Sequence, residues 1–140
     1  MQEIDIGEVS RRSGVPASAL RYYETRGLIQ PIGRNGLRRV YAISVMQRLA
    51  LISLGRAAGF SLEEIAGMFD ANGALAIDRL QLLRKADELD RLILRLGALR
   101  DGLKHVARCK QVDHLQCPTF QRLMQAALRD SGRRREKALP

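Results

Sequence analysis

The sequence predicts a mainly α-helical fold: a winged helix-turn-helix, a second helix pair, and one long helix that needs a partner. Three observations carry that expectation. Two short amphipathic segments flank a tight Gly14-Val15-Pro16 turn, Asn35-Gly36 separates two short basic segments, and leucines recur every seven residues from Leu75 to Leu103.

Ile6 and Val9 followed by Gly14 read as a short helix ending at a glycine. Pro16 suits the first turn of the next helix, where its missing N–H costs little. Residues 17–26 place Leu20 and Tyr23 on one face and close at Gly27. Two short helices joined by such a turn have the spacing of a helix-turn-helix. Asn35-Gly36 is a strong local hairpin signal, so residues 31–41 predict a basic hairpin, as in a winged helix. Val45, Leu49, Ile52 and Leu54 mark a third helix over 44–58. Ser61 and Glu64 form a capping box that opens a fourth, ending near Phe69.

After a loop at 70–74, Leu75, Leu82, Leu89, Leu96 and Leu103 fall in heptad register, with Ala86 and Ile93 at the complementary position. That is about 45 Å of helix at 1.5 Å per residue. A domain this small cannot cover such a stripe, so Leu82, Leu89, Ile93, Leu96 and Leu103 are expected to dimerise. Arg79 and Arg100 interrupt the seam, which leaves an antiparallel pairing open. A polar loop at 109–117 precedes a last amphipathic turn or two with Phe120, Leu123 and Met124, then a basic tail. The expected organisation is 1–70 for the winged unit and its second helix pair, 75–108 for the dimerisation helix, 109–130 for an effector-binding loop and short helix, and 131–140 for the tail.

The 140 residues carry 24 Lys and Arg against 15 Asp and Glu, a net +9 that suits a polyanionic partner. Nine arginines and no lysine fall in the first 60 residues. Guanidinium forks favour phosphate and base contacts, which points to nucleic acid over an acidic membrane face. The first residues lack the basic start and apolar run of a signal peptide, and no stretch approaches the ~20 apolar residues of a membrane span. The expectation is a cytosolic protein without membrane contact. No nucleophile stands beside a base with room for a pocket, so an enzyme is not expected.

Both histidines and both cysteines lie between residues 105 and 117: His105, Cys109, His114 and Cys117. His105 and Cys109 are four apart on a helix, and His114 and Cys117 three apart in the loop. The two pairs could close into a two-thiolate, two-imidazole set for zinc, with copper(I) the other candidate. A reversible Cys109–Cys117 disulfide, a hydrophobic ligand near Leu115 and Phe120, and unliganded thiols stay open beside it.

The run Ile6-Gly-Glu-Val-Ser-Arg-Arg-Ser-Gly-Val-Pro16, then Leu20-Arg-Tyr-Tyr-Glu-Thr-Arg-Gly-Leu-Ile29, resembles the N-terminal signature of the MerR family of bacterial transcriptional regulators. Asn35-Gly36, Arg39-Val-Tyr41 and Gly59-Phe-Ser-Leu-Glu-Glu-Ile65 match later parts in order. The resemblance implies a dimer joined by an antiparallel coiled coil, with two reading units ~34 Å apart on a promoter. It also implies that the effector-bound dimer distorts the DNA so that RNA polymerase engages both promoter elements. By the same resemblance Arg21 reads the groove, Tyr23 touches phosphate, Arg39 and Tyr41 belong to the wing, and Arg56 touches backbone. Arg34 and Arg38 are their basic neighbours, while Tyr22 is expected in the core and Arg11, Arg12 and Arg26 in solvent. Metal-sensing members share the Cys-x7-Cys loop but place Cys or Ser where this chain has Ala74 and Leu75, which departs from their ligand set. The alternative function is an architectural or excision-type DNA protein without effector control.

Overall fold

A computed structural model describes the backbone of residues 2–138 and side chains as far as residue 132. The elements are β1 (Glu3–Asp5), α1 (Ile6–Ser13), α2 (Ala17–Thr25), β2 (Gly33–Asn35), β3 (Arg38–Ala42), α3 (Val45–Ala57), α4 (Leu62–Ala66), α5 (Arg79–Arg108), a 3-10 turn (His114–Gln116) and α6 (Pro118–Ala138). The chain divides into two units at Lys85/Ala86, so the boundary falls inside α5. No helix among the described residues is long and apolar enough to cross a membrane.

The first unit is a winged helix-turn-helix. Asp5 caps α1 by accepting from the Glu8 N–H at 2.9 Å, which satisfies one of the helix's open donors. Gly14 ends that helix at φ 74°, a left-handed conformation that a side chain disfavours. Leu20 anchors α2 in a core shared with Ile6, Val9, Leu28, Ile29, Leu49, Ile52, Phe60 and Ile65. Such side chains contribute about 1.5–3 kcal/mol each on burial, which makes this cluster the main stabilising term of the unit. The Asn35-Gly36 hairpin forms as expected, with Gly36 at φ 66° and Arg34 opposite Arg39 across the ladder.

Several elements differ from the sequence expectation. A third strand, β1, pairs with β3 and places Ile4 opposite Tyr41. Leu54 is exposed, because the core face of α3 is Val45, Leu49 and Ile52. The capping box at Ser61 and Glu64 is present with both bonds made, but α4 stops at Ala66. Leu75 falls outside the long helix, since it bridges Phe69 and the next residue, Ala76, donates to the Met68 carbonyl at 2.6 Å. Asp78 then opens α5 by accepting from the Leu80 N–H at 3.0 Å.

In the second unit, α5 and α6 approach closely at Gly102. A Cβ there would sit 2.5 Å from a Leu123 methyl, so the glycine allows the contact. Arg95 and Asp130 add an ion pair at 3.8 Å, and Leu92, Leu99 and Val106 are half-buried. Helix α6 is far longer than the expected turn or two and replaces the tail through Ala138. Arg, Glu, Lys and Ala favour helix, and no proline intervenes before Pro140. The side chains of the Arg133-Arg-Arg-Glu-Lys137 run lie outside the described residues.

Candidate functional site

Two groups of residues carry chemistry, one in each unit. In the first unit, Leu20 fixes the rotation of α2, and at about 100° per residue its neighbours separate onto opposite faces. Arg21 and Tyr22 are exposed, Tyr22 at 51%, while Tyr23 packs on the core. Tyr22, expected in the core, is thus the more exposed of the two, and Tyr23 is half-buried. Arg26 lies over the Tyr22 ring at 5.8 Å and meets Glu63 at 3.4 Å.

In the wing, Arg34 and Arg38 are exposed. Arg39 is not comparably available, because its Nε meets Glu24 Oε2 at 2.7 Å with both side chains largely covered. Tyr41 is fully buried, which corrects its assignment to the contact surface. Burial pushes its phenol above the ordinary range, and the Glu24 carboxylate adds to that rise. Arg56 is exposed and donates from Nη1 to the Phe60 carbonyl at 3.2 Å, at the end of α3. Of the residues expected to contact DNA, Arg21, Arg34, Arg38 and Arg56 are exposed, Tyr23 and Arg39 are half-buried, and Tyr41 is buried.

Arg48 had no assigned role and turns out to be structural. It donates to the Leu28 carbonyl at 2.6 Å and the Gly73 carbonyl at 2.9 Å, and its guanidinium lies 3.8 Å from the Phe69 ring centre. Arginine count alone could not separate this clamp from a DNA contact.

In the second unit, His105, Cys109 and Cys117 bring their donor atoms within 4.8 Å of one another. His105 lies on the last turn of α5, Cys109 directly follows the helix end at Arg108, and Cys117 arrives through the 3-10 turn. Asp113 sets that turn by accepting from the Leu115 N–H at 3.0 Å. His114 lies exposed in the turn and is not in the group, so the four-donor set reduces to three. Two sulfurs and one imidazole nitrogen in such proximity suit a thiophilic metal ion.

Cys117 is buried at the start of α6. The Phe120 N–H favours its thiolate most, and His105, the Thr119 N–H and Cys109 add to this, lowering the thiol from an ordinary 9.0 to about 7. Between those two values the unfolded chain binds more protons than the folded one, so stability rises with pH. The thiolate's contribution is complete above pH 9 and lost as pH falls through about 7. Reduced, chelator-treated protein should therefore gain denaturant resistance from pH 7 to 9 relative to Cys117→Ala. Parallel curves for the two proteins would remove this assignment.

A winged helix-turn-helix with exposed arginines on its second helix and wing is a reader of double-stranded DNA. The chain matches the family described as MerR HTH family regulatory protein over residues 4–72 and that described as MerR, DNA binding over residues 46–106. It is 38% identical over 130 residues to the HTH-type transcriptional regulator HmrR of Rhizobium leguminosarum bv. viciae, covering 89% of this chain and 100% of that one. It is 32% identical to heavy metal-dependent transcription regulator 2 of Rhizobium meliloti, with 86% of each chain covered. Among solved structures, HiNmlR, a MerR family regulator lacking the sensor domain and bound to promoter DNA, shares the fold at TM-score 0.59 and 23% identity, covering 76% of this chain and 85% of that one. The chain belongs to the MerR family of DNA-binding transcriptional regulators.

Proposed function

We propose that the protein acts as a homodimer on promoter DNA, receives its signal in the segment 109–117, and transmits it by distorting the operator for RNA polymerase. The observation that carries this reading is the presence, in one chain, of a DNA-reading unit with exposed Arg21, Arg34 and Arg38 and a separate thiol cluster at the far end of α5. An architectural DNA protein has no use for the second feature. Arg21 takes the role of base reader on α2, Arg34 and Arg38 hold phosphates from the wing, and Arg56 adds backbone contact at the end of α3. Leu82, Leu89, Ile93, Leu96 and Leu103 form the partner-facing stripe of α5.

The signal we infer is a thiophilic metal ion, zinc or copper(I), held by Cys109 and Cys117. A relative named as heavy metal-dependent supports this reading, as does the fit of the donor set. When bound, the ion supplies a cross-link between the end of α5 and the start of α6. Cys117 serves it as a donor whose proton is already loosely held, and Asp113 keeps the turn closed so that Cys117 stays near Cys109.

Footprinting of the protein on its promoter tests this directly. Bound with and without zinc or copper(I), it should protect the same boundaries while the central base pairs change reactivity and transcription rises. Identical footprints and unchanged transcription with either ion would overturn zinc and copper(I) as the signal.

A further inference from the structure

The metal reading above uses the two thiols and gives His105 no role of its own. It lies one helical turn before Cys109, and its ring nitrogen falls within the same 4.8 Å group as both sulfurs. All three donors come from one chain, bridging the last turn of α5 and the residue that opens α6. We infer that His105 is a third metal ligand, and that it biases the site toward a divalent, four-coordinate ion such as zinc rather than copper(I). This rests on the metal reading above and goes beyond it by naming the ligand that selects the ion.

Coordination number, charge and distance all favour the divalent ion. Copper(I) is satisfied by soft thiolates, whereas zinc takes mixed imidazole and thiolate sets in tetrahedral geometry. Bond lengths of about 2.3 Å to sulfur and 2.0 Å to nitrogen place tetrahedral donors ~3.3–3.8 Å apart, so the observed spacing needs to close by about 1 Å. Small rotations of the three side chains about their own bonds can supply that closure, and His105 is exposed and has room to make one. Two thiolates and a neutral imidazole around a divalent ion sum to zero charge, with both thiol protons released to solvent. The same ligands around a monovalent ion keep one negative charge beside the buried Cys117 sulfur, which is the costlier arrangement.

The test uses the full chain, reduced and metal-free, titrated with zinc and separately with copper(I) against a competing chelator. Loss of partners that merely orient a ligand already costs 10–100-fold in affinity. Loss of a ligand should therefore cost at least that, and His105→Ala is expected to weaken zinc binding at least about tenfold. Copper(I) affinity should stay near the parent value. His105→Gln, which keeps side-chain bulk, should behave like His105→Ala, and circular dichroism should show unchanged helix in both. Cobalt(II) loaded as a spectroscopic probe should show shifted visible bands in both variants, a change that a purely structural histidine would not produce. Unchanged zinc affinity and cobalt spectra in the His105 variants, with Cys117→Ser abolishing binding, would overturn the role of His105 and leave the two-thiol reading standing. Parent protein that binds neither ion better than the Cys109→Ser, Cys117→Ser double variant would overturn both.

Discussion

Replacing Leu89 and Leu96 by glutamate should turn the proposed dimer into a monomer and weaken operator binding by at least about a hundredfold. Helix α5 leaves Leu82 39%, Ile93 65%, Leu96 53% and Leu103 62% exposed in the single chain. A contiguous apolar stripe of this kind marks an interaction surface, and each leucine that is covered contributes about 1.5–3 kcal/mol. Two carboxylates placed within the seam remove that gain and add the cost of burying charge. A dimer offers its second reading unit to the second half-site at an effective concentration in the mM range, and a monomer loses that advantage entirely. Neither residue belongs to the core of the DNA-reading unit, so the monomer should keep its helical circular dichroism and bind a half-site as before. Sedimentation at several concentrations gives the oligomeric state, and an unchanged dimer would show that this face of α5 does not carry the interface.

How far the sequence could be read depended on whether a residue's partners were local. The Ser61–Glu64 capping box and the Asn35-Gly36 turn are settled within a few residues, and both formed as expected. Tyr41 was not legible because its position depends on β1. That strand is only three residues long, with one inward side chain, Ile4, and the register that buries Tyr41 beside it is a tertiary event. The two tyrosines of α2 teach the opposite lesson. Helical spacing puts Tyr23 with Leu20, three residues apart, and turns Tyr22 outward, which overturns the expectation of Tyr22 in the core. The thiol cluster was half legible. The nearness of His105 and Cys109 follows from their four-residue spacing at the end of α5, whereas the arrival of Cys117 and the exclusion of His114 depend on a 3-10 turn that the loop composition does not announce.

The reading surface gives the second large effect. Arg21 is exposed on α2, which the buried Leu20 holds in place, so its loss should remove a contact without disturbing the core. A bidentate arginine contact to a base is worth about 1–3 kcal/mol, roughly a tenfold to hundredfold change in operator affinity. Arg21→Ala should lose that amount on the operator and much less on unrelated DNA, which relaxes specificity. Arg56→Ala should weaken both alike and flatten the salt dependence by about one counterion, because a phosphate contact carries no sequence information. Tyr41→Phe should leave operator affinity unchanged, since that side chain is buried. The decisive measurement is equilibrium binding of parent and Arg21→Ala protein to operator and to scrambled DNA across a series of salt concentrations. A tenfold to hundredfold loss, large on the operator and small on scrambled DNA, is expected at every salt concentration; equal affinity of the two proteins for the operator throughout the series would contradict the assignment of α2 as the reading helix.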